Sequence, residues 1–346
     1  MKTETLATLS ARLGVSITSI SRIINGKAEK YRISPATAER VMREVQRCGY
    51  MPAGFAQNLR KPGSGLVGLI LPSVSNPFFA DMAAVIISEL YRRHYTTIVL
   101  DSMEDESVFL DSVKTLLSRQ VEGMIAVPCG EDGTLMEAVG KHTPLVLVDR
   151  FYKDTQLSYV TTNNYQGSLE ATRYLLDCGH TRIACIQGAT ASMPNQERVS
   201  GYRDAMRGGD KEAWIKIVGN EFSVQNGYLE TKLLLAAQER PTALFALSNT
   251  ILLGAVKAIR EAGLRIPNDI SLIAFDDNLY MDYMTPVITR VSQPVTDMAF
   301  LATKLLVDSL GNDAHGGSQL RLSPTLIHGG SVSILSAGPE IGSTEI

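Results

Sequence analysis

Apolar residues follow two rhythms along this chain. Near the start they recur at helical spacing in three short groups: Leu6, Leu9 and Leu13, then Ile20, Ile23 and Ile24, then Ala38, Val41 and Val45. Polar punctuation frames each group. Thr5 can cap the first helix and Gly14 breaks it. Ser16 can cap the second, which stops near Asn25-Gly26. Ser34-Pro35 supplies a hydroxyl cap and a proline at the first helical position of the third, which Gly49 ends. From residue 66 the rhythm changes to short continuous apolar runs, strand-like at 66–71, 97–100, 123–127, 145–148, 183–186, 243–247 and 271–275. Amphipathic stretches such as 80–93, 167–177 and 252–262 lie between them. Strand and helix in alternation predict parallel sheets with helices on both faces. The pattern restarts after about residue 160, which predicts two similar lobes. The expected organisation is an all-α head at 1–49, a hinge and linker at 50–65, an α/β two-lobed body at 66–335 and a flexible tail at 336–346.

Charge sharpens this division. The chain has 346 residues, of which 45% are hydrophobic and 20% charged, with a formal net charge of −3. Residues 1–62 nevertheless hold 11 Lys and Arg against 4 Glu and no Asp, while the remainder holds 22 Lys and Arg against 32 acids. A basic head on an acidic body points to a polyanion as the partner of the head alone. Cys48, Cys129, Cys178 and Cys185 form no C-x-x-C pair and have no His at metal-ligand spacing. Reduced thiols, no metal and no cofactor are expected. The opening residues carry no apolar core of signal-peptide length, and no apolar stretch reaches membrane-spanning length, so a cytoplasmic protein is expected.

Helix, glycine-containing turn and helix make a helix-turn-helix arrangement. If Ile20, Ile23 and Ile24 point inward, Ile17, Thr18, Ser19 and Arg22 face outward. Arg22 could reach the two acceptors of a guanine, and Thr18 or Ile17 a thymine methyl. Thr5, Ser16, Ser19, Ser21 and Asn25 are candidates for contacts to phosphate oxygens. Periodicity alone equally allows a three-helix bundle that binds protein. Beyond the head, Pro52 can start a short helix that Gly54 and Asn58 weaken, so 50–65 also reads as an ordinary linker.

In open parallel sheets, ligands bind beyond the carboxyl ends of the strands. That rule selects Asn76, Phe78 and Phe79, then Asp149 and Arg150, Arg198, Phe222, Ser248 and Asn249, Asp276 and Gln293. Aromatic faces with carboxylates, amides and guanidinium groups suit a polyhydroxylated ring. No phosphate-binding Gly-x-x-x-x-Gly-Lys loop, no G-x-S-x-G elbow and no metal-spaced His/Cys set occurs, so no enzyme is expected. Asp276-Asp277 are paired carboxylates, yet adjacent residues at a strand end usually diverge. A sugar-binding transport component or an enzyme on the same scaffold are the alternative readings. The first would need an export signal and no basic head.

Several motifs carry a closer likeness. Gly14-Val15-Ser16, the run Ser34-x-x-Thr37-x-x-x-Val41, and Gly49-Tyr50-x-Pro52 followed by Ala56 and Leu59 resemble the head of the LacI/GalR family of bacterial regulators. In the body VDR at 148–150, CGHTRIACIQG at 178–188, RVSGYRDAM at 198–206, LRIPNDISLIAFDD at 264–277 and TRVSQPVTDMA at 289–299 are similar to that family's effector domains and to periplasmic sugar-binding proteins. Ser10 departs mildly from the head pattern, and Ser248-Asn249 stands where many relatives have Asn-Asp. The resemblance implies a repressor that binds double-stranded operator DNA of near-palindromic sequence as a homodimer, under control of a small sugar. It implies that Tyr31 belongs to the DNA face. It also implies that Pro52, Ala56, Gln57 and Leu59 lie on a hinge helix formed on DNA, with Leu59 wedged between base steps. Asn-Pro-Phe-Phe with Asp-Arg is more similar to a ribose-type than to a purine-type pocket. The tail has no leucine heptads, so a dimer is expected rather than a tail-made tetramer. Leu59→Ala is expected to weaken binding to a specific duplex much more than to a random one. Equal losses on both duplexes at one salt concentration would remove the wedge.

Overall fold

Thr5 opens the first helix as the punctuation predicts. Its Oγ1 accepts from the Thr8 amide at 3.2 Å, while Thr8 Oγ1 accepts from the Thr5 amide at 2.9 Å. The computed structural model describes residues 5–24, 26–48, 63–310 and 317–335. Asn25, Pro52, Ala56, Gln57, Leu59, most of the hinge and the tail from 336 lie outside the described residues. The chain divides into two units, Met1–Ser64 and Gly65–Ile346.

The first unit contains helices α1 (Leu6–Leu13), α2 (Ile17–Ile24) and α3 (Pro35–Cys48). Gly14 follows α1 with φ at 60°, a left-handed conformation that favours glycine. The Ser19 amide donates to Ser16 Oγ and the Thr37 amide to Ser34 Oγ, so both predicted caps form. Leu9, Ile20, Ile23 and Val41 are buried together, packed by Leu13, Val15, Ile24, Ala38 and Val45. Each such side chain contributes about 1.5–3 kcal/mol, a large share for so small a core. Glu44 gathers Arg12 and Arg47 at 2.9 and 2.7 Å, tying α1 to α3.

The second unit runs β1 (Leu66–Leu71), α4 (Pro77–Arg92), β2 (Thr96–Asp101), α5 (Glu106–Ser118), β3 (Gly123–Ala126), α6 (Thr134–Gly140), β4 (Leu145–Val148) and β5 (Ser158–Thr162). The pattern repeats in α7 (Asn164–Asp177), β6 (Ile183–Ile186), α8 (Met193–Gly208), β7 (Lys216–Val218), α9 (Val224–Ala236), β8 (Ala243–Ala246), α10 (Asn249–Glu261), β9 (Ser271–Phe275) and β10 (Thr289–Ser292). Last come α11 (Val295–Ser309), β11 (Gln319–Leu322) and β12 (Thr325–Ile327). Two six-stranded sheets result, ordered β11-β5-β4-β3-β1-β2 and β12-β10-β9-β8-β6-β7. Only the β10–β12 pair among these is antiparallel. Val67 sits between Thr97 and Gly123 in register. Val67, Leu69 and Leu71 face α4 and α11, and Ile70 faces α5 and α6, so both sheet faces are covered. The second sheet is packed likewise by α9 and α10 on one face and by α7 and α8 on the other.

The chain passes between lobes at Asn163, at Gln293-Pro294 and at Ser323-Pro324, because α11 and β11 return to the first lobe and β12 to the second. The carboxyl end thus supplies two strands, one closing each sheet. Helix starts also lie earlier than apolar spacing suggested. The first turns of α4, α7 and α10 carry cap and cleft residues as well as core. No helix among the described residues is long and apolar enough to cross a membrane.

His180 fastens the end of the described chain to the second lobe. Its Nδ1 lies 3.0 Å from Thr242 Oγ1 and its Nε2 3.0 Å from the Ser333 carbonyl oxygen. Burial lowers the His180 pKa below 6.5, against the opposing pull of the Ser333 carbonyl. A depressed histidine stabilises the fold fully above its ordinary range and loses that contribution as pH falls through it. The melting temperature is expected to drop as pH is lowered from 7.5 to 5.5, and His180→Gln is expected to flatten part of that slope. An unchanged slope would show that other groups carry it.

Candidate effector cleft and nucleic-acid face

Helix α2 presents the face that its pattern predicts. Ile17 is 47% exposed, Thr18 is exposed, and Ser19, Ser21 and Arg22 are half-buried. The Arg22 guanidinium lies 3.9 Å above the Tyr31 ring, a cation–π contact that holds its long side chain beside the helix. Tyr31 thus joins the face through Arg22, which spacing alone did not reveal. The Thr5 and Ser16 hydroxyls are engaged in capping, so phosphate contacts there would fall first to backbone amides.

In the body, the carboxyl ends of the two sheets converge on one cleft. It is lined by Asn76, Phe78, Phe79, Glu104, Asp149, Arg150, Ser192, Pro194, Arg198, Phe222, Ser248, Asp276 and Gln293. Of the residues that the strand-end rule selected, only Asn249 is absent from this lining. Asn249 turns behind it, where its Nδ2 donates to Asn76 Oδ1 at 2.9 Å and to Asn278 Oδ1 at 2.8 Å. Burial at 1% exposure leaves it a bridge between lobes, with Ser248 facing the cleft. Glu104, Ser192 and Pro194 were missed. Glu104 follows β2, a strand whose end the rule should also have covered.

Asp149 and Asp276 occupy equivalent places, directly after β4 and β9, the third strands of the two sheet orders. Both have left-handed backbone, with φ of 63° and 78°. Such non-glycine conformations persist only where surroundings fix them. Thr161 Oγ1 donates to the Asp149 carbonyl at 2.6 Å. The Asn249 amide donates to Asp276 Oδ2 at 3.0 Å, and Gln293 Nε2 to Asp276 Oδ1 at 2.6 Å. The neighbouring Asp277 turns away to Arg290 at 2.6 Å and Ser292 at 3.0 Å, so the adjacent carboxylates diverge as expected.

Arg198 is placed by close helix packing. A Cβ on Gly201 would come within 2.3 Å of the Tyr165 carbonyl, so only glycine lets α8 lie this close to α7. The Arg198 Nε then donates to Asn164 Oδ1 at 2.8 Å and one terminal nitrogen to the Leu247 carbonyl at 2.7 Å. Its guanidinium stacks 3.7 Å from the Phe275 ring centre. Phe78 and Phe79 meet edge to face at 5.1 Å, and Phe222 lies over Gly188, where a Cβ would strike its ring. Carboxylates and guanidinium groups at one end of an aromatic-walled cleft can bind vicinal hydroxyls and cover a C–H face.

Asp149 Oδ1 is buried and has no hydrogen-bond partner among the described residues. Burial raises its pKa to about 6, against the lowering influence of Arg198 and Arg150 and with Asp276 and Glu104 adding to the rise. An ionised Asp149 accepts hydroxyl protons better than a protonated one. Affinity for a neutral polyol is therefore expected to fall about tenfold for each unit of pH below about 6, and Asp149→Asn to remove that dependence. Calorimetry between pH 5 and 8 reads it. A flat profile in the unmutated protein would exclude Asp149 as the accepting group.

Comparison with known proteins places this architecture. Residues 172–332 match the periplasmic binding protein-like domain family. The chain is 31% identical over 324 residues to the ribose operon repressor of Haemophilus influenzae, spanning 92% of this chain and 95% of that one. It is 31% identical over 327 residues to the HTH-type transcriptional repressor PurR of Vibrio vulnificus, again spanning 92% and 95%. A solved LacI family transcriptional regulator from Enterococcus faecium with bound ribose superposes with a TM-score of 0.70 at 25% identity, covering 78% of this chain and 100% of that one. Likeness over nine-tenths of the chain reaches past the two-lobed body into the head, and so the chain belongs to the LacI/GalR family of DNA-binding transcriptional regulators, which are not enzymes.

Proposed function

We propose that this protein is a cytoplasmic repressor that grips a near-palindromic operator as a homodimer and responds to a small uncharged sugar of the ribose class held between its lobes. The observation that carries the sugar reading is the pair of buried aspartates, one from each lobe, held in the same unusual backbone conformation at the same strand ends. A ligand with several hydroxyls satisfies both at once and so favours one arrangement of the lobes. Arg150 and Arg198 supply donors to ring and hydroxyl oxygens, while Phe78, Phe79 and Phe222 cover apolar faces.

At the other end, Arg22 reads base edges and the basic head binds phosphates, with Leu59 of the hinge as the proposed wedge. Bound sugar biases the lobes, and the lobes bias pairing of the hinges. DNA and effector must then alter each other's affinity by the same factor. A purine effector is the second reading, favoured by the PurR relative and by the rings of Phe79 and Phe222. Against it stands the cleft's density of charged partners for hydroxyl groups.

The test begins with a thermal-shift screen of pentoses, hexoses, their phosphates and purine bases. A duplex selected from a random library then serves for binding with and without each hit. Sugars that neither stabilise the protein nor change its DNA affinity, beside a purine that does both, would overturn the sugar reading. Asp276→Ala is expected to abolish the effector response and leave duplex binding intact. Arg22→Ala is expected to weaken specific binding and relax base preference, at about 1–3 kcal/mol for the lost base contact. Unaltered sequence preference in the selected pool would reject its base-reading role.

A further inference from the structure

We infer that Glu104 is a specificity residue of the cleft: by occupying the Arg150 guanidinium with both carboxylate oxygens, it selects an uncharged polyol and rejects phosphorylated or carboxylated sugars. This deepens the proposed sugar reading and rests on it for the identity of the cleft.

Glu104 is delivered by a turn built for the purpose. Met103 and Glu104 both have left-handed backbone, with φ of 53° and 58°. Two successive non-glycine residues in that region need external anchoring. Asp101 provides it from the end of β2. Its Oδ1 accepts from the Met103 amide at 2.8 Å, and its Oδ2 from the Val74 amide at 3.0 Å. The Glu104 amide donates to the Pro72 carbonyl at 2.9 Å. The turn is thereby tied to the loop that leads through Asn76 into α4, where Phe78 and Phe79 lie.

The pair itself has the two-pronged geometry that arginine otherwise offers to a phosphate or carboxylate ligand. Arg150 donates to Glu104 Oε2 at 2.7 Å and to Oε1 at 2.8 Å. Arg150 is buried, while the Glu104 side chain is 38% exposed toward the cleft. Burial opposes the charge on Arg150, yet the Glu104 carboxylate, together with Asp149, outweighs it and holds the Arg150 pKa above its ordinary value. The other cleft cation, Arg198, is held by Asn164 and the Leu247 carbonyl, with Asp276 3.9 Å away. Three carboxylates thus face two guanidinium groups. An anionic substituent would meet Asp149 and Glu104 with no cation left to neutralise it, whereas a hydroxyl can still donate to either carboxylate.

The experiment uses the full-length protein with Glu104→Gln, Glu104→Ala and the double variant Glu104→Ala/Arg150→Met, each checked for cooperative unfolding. Calorimetry with D-ribose and D-ribose 5-phosphate measures the ratio of affinities, and thermal shift with inorganic phosphate probes Arg150 directly. The inference requires the unmutated protein to disfavour the phosphorylated sugar. Each single variant should narrow the ratio at least tenfold and be stabilised by inorganic phosphate, and the double variant should lose both gains. An unmutated protein that binds D-ribose 5-phosphate as tightly as D-ribose, or single variants that respond to phosphate no more than the parent, overturns it. If no sugar binds the unmutated protein, the sugar reading fails, and the inorganic phosphate comparison still decides what Glu104 does.

Discussion

Charge taken out of water is the constraint around which the body is arranged. Asp149, Asp276, Arg150 and Arg198 are each below a tenth exposed. Isolated ions at such depth are costly, so Asp276, Arg150 and Arg198 take fixed partners. Two of those partners come from the segments that join the lobes. Asn164, just after the first crossing, accepts from Arg198, and Gln293, at the second, donates to Asp276. Two of the groups suited to read a ligand are thus bonded to the segments that link the lobes.

A second set of contacts joins the two lobes beside the cleft. Asn249 of the second lobe donates to Asn76 of the first. Arg321, on the added strand β11, pairs with Glu197 at 2.6 Å, beside Arg198 on α8. Arg321 also lies 5.0 Å from the Phe151 ring centre, directly after Arg150. A change of lobe arrangement has to remake these pairs together, and discrete pairs of this kind favour two states over a continuum.

What could be read from the sequence was local or periodic. The caps at Thr5, Ser16 and Ser34, the break at Gly14 and the buried Leu9, Ile20 and Val41 all follow from spacing and short-range hydrogen bonding. Strands made of continuous apolar residues were equally legible. Strands β5, β7 and β10 were not. β5 ends in two buried threonines, β7 is a three-residue edge, and β10 buries Arg290, which Asp277 and Asp282 neutralise from outside the strand. Polar residues inside a sheet look like loop until their partners are known. Within the cleft, the strand-end rule found most of the lining because topology alone brings those positions together. It could not tell Ser248 from Asn249, since both follow β8 and the bonds to Asn76 and Asn278 turn one of them away. Glu104 was hidden for another reason: its direction depends on two left-handed residues that no propensity would propose.

The order of elements along the chain has a consequence for how the protein is made. The head is finished by Cys48, a contiguous piece that depends on nothing downstream for its core. The body is different, because α11 and the closing strands of both sheets are supplied by the final stretch, up to Ile327. A growing polypeptide therefore completes its three-helix core long before it completes its cleft. Ribosomes that stall late would release molecules with a competent head and two unsealed sheets, whose exposed edges invite aggregation and proteolysis.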